Sequence, residues 1–123
     1  MRLLLDSHVL LWALTDHAAM PERFRKALSD PAAEQYLSTV TVWELTIKRR
    51  IGKLTFPPDL FDKALAAGCI AVPVIWAHAL ATYDLPLHHG DPFDRMLIAQ
   101  ARVEGLTLMS ADRVFQRYDV NLF

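Results

Sequence analysis

The run Asp91-Pro92-Phe93-Asp94-Arg95-Met96-Leu97-Ile98-Ala99-Gln100-Ala101-Arg102-Val103-Glu104-Gly105-Leu106-Thr107-Leu108-Met109-Ser110-Ala111-Asp112 holds one full passage from helix to strand. Asp91 stands where an N-cap belongs, and Pro92 occupies the first helical position. Phe93, Met96, Leu97 and Ala101 recur at helical spacing, Gly105 closes the helix, and 106–109 reads as a short buried strand. Asp112 follows that strand's far end. Outward from this stretch the same alternation repeats. Leu3-Leu4-Leu5 predicts a strand ended by Asp6, and 7–14 a helix that is apolar nearly all round, as a buried helix is. Pro21 opens a helix carrying Phe24, Ala27 and Leu28; 36–38 predicts a second strand; Thr41 opens a helix with Trp43, Ile47 and Ile51 on one face. After Pro57-Pro58 come a helix bearing Phe61, Ala64 and Leu65, a strand at 70–72, a short helix at 76–83, and an edge strand at 120–123. Strands separated by helices pair in parallel. The expected fold is α/β, a three-layer α/β/α sandwich around a parallel sheet of four to five strands, as a single domain over 1–123.

Length and composition narrow the function classes. At 123 residues the chain can bury roughly two-thirds of its unfolded surface without covalent staples. Apolar residues make up 53% and charged residues 22%, which excludes disorder, and four glycines are too few for a small all-β fold of many tight turns. Cys69 has no partner in the chain, so it forms no internal disulfide, and a reducing compartment, the cytoplasm, is expected. A formal net charge of −1 excludes a polycation that holds nucleic acid by bulk charge. Residues 64–83 contain no Asp, Glu, Lys or Arg, long enough to span a bilayer. That run is rich in alanine and interrupted by Gly68, Pro73 and His78, so a helix, a strand and a helix touching one core account for it, with no membrane role.

Ligands of open α/β sheets sit beyond the carboxyl ends of the strands, and four acids are expected there: Asp6, Glu44, Asp94 and Asp112. Each has a purely structural reading. Asp6 can cap the helix that begins at Ser7, Thr41-x-x-Glu44 matches a capping box, Asp94 suits the dipole of the helix capped by Asp91, and Asp112 can end a turn. Asp6 is the least easily explained in this way, because a carboxylate inside the apolar run 3–14 is expensive unless paired. Read together, converging acids repel by on the order of 4 kcal/mol per pair at about 4 Å, so the cluster must take up protons or a cation. An all-oxygen ligand set favours Mg²⁺ or Mn²⁺ over Zn²⁺, and such ions serve phosphoryl transfer. Ser7, Ser38 or Ser110 can add a hydroxyl.

The motifs resemble those of a known family. Leu4-Leu5-Asp6-Ser7-His8-Val9-Leu10-Leu11-Trp12 is similar to the opening of PIN-domain proteins, and Ser38-Thr39-Val40-Thr41-Val42-Trp43-Glu44-Leu45 to their second acidic motif. His88-His89-Gly90-Asp91-Pro92-Phe93-Asp94-Arg95-Met96-Leu97-Ile98-Ala99-Gln100-Ala101 resembles the third, and Ser110-Ala111-Asp112-Arg113-Val114-Phe115 the fourth. Within that family the likeness is to VapC-type toxins of toxin–antitoxin pairs. It implies a metal-dependent endoribonuclease acting on RNA and inhibited by a cognate antitoxin, as a homodimer or toxin–antitoxin hetero-oligomer. Asp6, Glu44 and Asp94 would be the core acids and metal ligands, and Asp112 the more variable fourth. Ser7 stands where the family often has threonine, which keeps the hydroxyl.

Other residues carry weaker expectations. Lys48, Arg49, Arg50 and Lys53 form the densest basic cluster, equally a helix end suited to the dipole or a track for single-stranded RNA. Asp91 reads as an N-cap before an outer ligand, and His88 and His89 as loop bystanders, since no third ligand stands at zinc spacing. His8 and His78 read as core or interface histidines, and Trp12, Trp43 and Trp76 as core or interface aromatics. A receiver-type phosphoacceptor would need an acidic pair at Asp6 and a late lysine, which are absent. A catalytically silent PIN-like module that binds RNA or protein is the remaining alternative.

Overall fold

The computed structural model describes residues 1–123. It comprises β1 (Arg2–Leu5), α1 (Ser7–Thr15), α2 (Glu22–Leu28), β2 (Glu34–Ser38), α3 (Thr39–Arg50), α4 (Leu60–Ala66), β3 (Ile70–Val72), α5 (Trp76–Ala81), α6 (Pro92–Glu104) and β4 (Thr107–Met109), with 3₁₀ turns at Thr82–Asp84 and Arg113–Arg117. The four strands form one parallel sheet in the order β3-β2-β1-β4. The expected edge strand at 120–123 does not form. Leu122 makes a single bridge to Leu108, and the ring of Phe123 leaves the sheet edge to pack edge-on against Phe24 at 5.6 Å.

β1 is central and buried on both faces, which is why Leu3, Leu4 and Leu5 run without a polar break. Leu3 and Leu5 pack with Val9, Phe24 and Met109 beneath α1 and α2. Leu4 points the other way into Leu97, Ile98, Leu108 and Phe115, beneath α6. A third cluster of Leu10, Leu37, Leu45, Leu60 and Ala64 joins α1, β2, α3 and α4. α6 ends as the sequence predicts: Gly105 adopts φ +67°, and its N–H donates to the Ala101 carbonyl.

Burial departs from the sequence pattern at three helices. α1 is buried on one side only; Leu11, Trp12 and Leu14 are half-buried and His8 is exposed. α3 turns Val40, Thr41, Glu44 and Leu45 inward, while the stripe predicted from Trp43, Ile47 and Ile51 points away from the core, with Trp43 and Ile51 exposed. The reason is that α3 starts directly at the end of β2, so the first residues to reach the core, Val40 and Thr41, set its rotation. The charge-free run resolves into α4, β3 and α5 as expected, but not all of it touches the core. α5 turns His78 inward, where Nε2 lies 2.8 Å from Glu104 on α6, and leaves Trp76 82% exposed.

Leu4→Ala should cost about 3–4 kcal/mol in urea denaturation, since it leaves a cavity in the fully buried cluster beneath α6. Leu87→Ala, at a residue 88% exposed, should stay within about 0.5 kcal/mol of wild type. Equal losses at both positions would contradict this assignment of the core.

Candidate active site

Asp6 terminates β1 and begins α1. Its backbone N–H donates to the Met109 carbonyl at 3.1 Å, extending the β1–β4 ladder by one rung. Its carboxylate is almost wholly buried: Oδ1 accepts from the Val9 N–H at 2.9 Å, and Oδ2 accepts from the Ser110 hydroxyl. Burial pushes the Asp6 carboxyl above the usual range, against the pull of those two hydrogen bonds, and the charge of Glu44 adds to the rise. Ser7 is buried beside it.

The second acid is placed by a helix start earlier than the sequence pattern suggests. Ser38, not Thr41, is the N-cap of α3, its Oγ accepting from the Val40 N–H at 3.0 Å. One residue thus closes the strand and caps the helix, leaving no loop from which Thr41 could cap. The capping-box reading of Thr41-x-x-Glu44 therefore fails. Both residues lie inside the helix and face inward; the Thr41 hydroxyl is buried without a partner, and Glu44 accepts from Lys48 Nζ at 2.8 Å one turn on.

α6 supplies the third acid. Asp91 Oδ1 accepts from the N–H groups of Phe93 and Asp94 at 2.8 and 3.0 Å, the capping role expected of it. Asp94 Oδ2 lies 3.1 Å from His89 Nε2. Burial pushes the Asp94 carboxyl up to about 6, with the charges of Asp91 and Glu44 adding to the rise and His89 opposing it. His89 is held in turn, its Nδ1 being 2.6 Å from the Tyr118 hydroxyl, which also accepts from Arg95 at 3.2 Å. His88 packs edge-on against the same ring at 5.0 Å. His89 is thus no bystander. Tyr118 escapes the sequence reading because nothing in its own neighbourhood signals a partner 29 residues away.

Asp112 is exposed. Its Oδ1 accepts from the Val114 N–H at 3.0 Å and caps a 3₁₀ turn, while its own N–H donates to Ser110 Oγ at 3.0 Å. Ser110 therefore links Asp112 to Asp6. Of the basic cluster, Lys48 meets the acids, Arg49 lies over the Phe56 ring at 5.3 Å, and Arg50 is exposed.

Asp6, Glu44 and Asp94 come from three separate segments and stand close enough for their charges to act on one another. As hard oxygen donors they suit Mg²⁺ or Mn²⁺ in kind. Each is engaged by its own donor, namely Ser110, Lys48 and His89, and no three acidic or imidazole groups meet closely enough to enclose one ion.

A parallel sheet with acids at its carboxyl edge defines an α/β domain with an acidic crevice. A model of the PIN domain matches residues 3–121, and the chain belongs to the PIN-domain family. No curated protein matches it significantly. Among solved structures it is similar to VapBC2 from Rickettsia felis bound to a DNA fragment from its promoter, at 14% identity over 99% of this chain and 96% of that one, with a TM-score of 0.73. It is also similar to a toxin–antitoxin complex from Klebsiella pneumoniae (13% identity, 89% and 86% covered, TM-score 0.61) and to FitAcB from Neisseria gonorrhoeae (21% identity, 98% and 96% covered, TM-score 0.66). These likenesses establish the fold.

The crowding of Asp94 has a measurable consequence. Its folded-state carboxyl titrates near 6 and an unfolded one near 3.8, so between those values the native state binds the extra proton and stability falls as pH rises. The full shift corresponds to about 3 kcal/mol. Asp94→Asn removes that loss but also alters the pairing with His89, so a net gain of about 1–2 kcal/mol at pH 7 is expected. Denaturation of both proteins in EDTA at pH 4 and pH 7 tests it: the difference between them should widen toward pH 7. A variant less stable than wild type at pH 7 would make Asp94 a structural acid.

Proposed function

We propose that this chain is a Mg²⁺- or Mn²⁺-dependent endoribonuclease that hydrolyses RNA phosphodiester bonds, the toxin of a toxin–antitoxin pair neutralised by a cognate antitoxin. One observation carries the catalytic part. Asp6, Glu44 and Asp94, buried or half-buried, come from three segments at the carboxyl edge of the sheet, and the charge of Glu44 bears on both aspartates despite the electrostatic cost. Helices α1 and α2 cover one face of β1 and α6 covers the other, so the crevice between the ends of β1 and β4 is where an α/β sheet takes its ligand. Membership of the PIN family and the likeness to a toxin–antitoxin complex support the partner.

In this reading Asp6, Glu44 and Asp94 hold the ion, with Asp112 at the outer edge through Ser110. A bound divalent ion would supply Lewis-acid polarisation of the phosphate and lower the pKa of a water. The chain's own groups do the rest. The Ser110 and Val9 donors fix the Asp6 carboxylate, and His89, locked by Tyr118 and Arg95, fixes Asp94. Lys48, Arg49 and Arg50 in the last turn of α3 provide positive charge for the RNA backbone. Ser7, buried next to Asp6, could add a hydroxyl for a bound water or phosphate, whereas the Ser38 hydroxyl already serves the helix cap.

The pairing of each acid with its own donor favours one other reading, a silent PIN-like module that binds RNA or protein. Cleavage of a labelled single-stranded RNA panel with Mg²⁺, Mn²⁺ or EDTA, beside Asp94→Asn prepared identically, separates the two. Metal-dependent cleavage lost in the variant by more than the ~10–100-fold typical of supporting residues is the expected result. Equal cleavage in both samples would indicate contamination. Absence of cleavage together with absence of Mn²⁺ binding by calorimetry would leave the silent module.

A further inference from the structure

The three carboxylates at the carboxyl edge of the sheet each have a donor of their own, and the donors differ in how firmly they are held. The Ser110 hydroxyl on Asp6 also receives the Asp112 N–H at 3.0 Å, and His89 on Asp94 is braced by the Tyr118 hydroxyl at 2.6 Å. Lys48 is different. Its Nζ lies 2.8 Å from Glu44 Oε2 and makes no other hydrogen bond or ion pair. Its side chain is 34% exposed, against 6% for that of Glu44. An ammonium group on a flexible four-carbon stem is strongly hydrated, so water can replace what Lys48 would lose by leaving. Glu44 cannot follow it, because α3 turns that residue inward beside Thr41 and Leu45.

Two further observations bear on the pair. The Thr41 hydroxyl, one turn before Glu44 on the same face of α3, is buried without a partner, so with Lys48 on Glu44 this face keeps one hydrogen-bonding group unused. The charge of Glu44 also still raises the proton affinity of Asp6 and Asp94, so one ammonium group paired to Glu44 does not quench the repulsion among the acids. A doubly charged ion shared among them would do so more fully.

We propose that Lys48 is a resident counter-ion of Glu44, holding the metal-free chain in a resting state, and that it must swing out before a divalent cation binds among the acids. An ammonium group bonded to a buried carboxylate is not offered to a phosphate. Once released, it joins the exposed Arg49 and Arg50 in the last turn of α3, so that cation binding and completion of this basic end are one event. The exchange presupposes the metal-dependent reading given above and adds the residue that yields to the ion.

Calorimetric titration of Mn²⁺ into the full chain at pH 8 tests it with three proteins. These are wild type, Lys48→Met, which removes the charge and keeps an apolar stem, and Arg50→Gln, which removes a like charge from an exposed position two residues on. Lys48→Met should bind Mn²⁺ ~10-fold or more tightly than wild type, since a charge-assisted pair no longer has to be broken. Arg50→Gln should stay within about twofold of wild type, as a solvent-exposed charge is largely screened. In urea with EDTA, Lys48→Met should be the less stable protein, and saturating Mn²⁺ should close that gap. Should Lys48→Met not fold, Lys48→Gln, which keeps a neutral donor, makes the same comparison. Mn²⁺ binding by the Lys48 variant equal to or weaker than that of wild type would overturn the exchange and leave Lys48 a fixed partner of Glu44. An equal gain in the Lys48 and Arg50 variants would overturn it in favour of a general effect of charge. Mn²⁺ bound by none of the proteins would overturn the metal-dependent reading itself, and the exchange with it.

Discussion

Asp6 is a carboxylate with almost no access to water at the end of a strand buried on both faces, and the carboxyl edge of the molecule is arranged around it. A buried ionised group is tolerated only when hydrogen bonds replace its hydration. The Val9 amide and the Ser110 hydroxyl provide them, and the Asp6 amide is itself tied to Met109. Through one residue β1 is ended, α1 is begun and β4 is locked in register. Because Ser110 also receives the Asp112 amide, the fourth acid takes its position from the first.

The other acids are satisfied in a similar manner, each by a donor of its own. Glu44 meets Lys48 within one helix, at the spacing where helical side chains pair. Asp94 depends on a relay across the chain, in which His89 is held by Tyr118 and Tyr118 by Arg95. Arg95 further donates to the carbonyls of Thr82, Leu85 and Pro86, so the segment between α5 and α6 is fastened to the residue that follows Asp94. The crevice is thus a set of like charges kept together by a rigid surround, and the raised proton affinity of Asp6 and Asp94 is the electrostatic sign of that constraint.

The chain spends its apolar residues unevenly. β1 is packed from both sides, yet α3 and α5 present tryptophans outward on surfaces that meet at Thr39 and Val74. Both tryptophans lie outside the three buried clusters that hold the sheet and its helices together.

Much of this was legible in the sequence. Periodicity, caps and apolar runs located every helix and all four strands, because these are local: a proline at the first helical turn or a glycine at the left-handed cap acts within a few residues. The positions of Asp6, Asp94 and Asp112 at strand and helix ends followed from the same local signals. Tertiary structure decided the rest. α1, α3 and α5 are apolar on more than one side, so periodicity alone could not say which side the core would claim, and packing at the end of β2 turned Glu44 inward and Trp43 outward. Nor could spacing reveal that Ser110 reaches Asp6 across 104 residues or that Tyr118 fixes His89, since those bonds exist only where separate segments arrive at one place. Local propensity is written along the chain, but which polar groups must satisfy one another is set by what folding buries together.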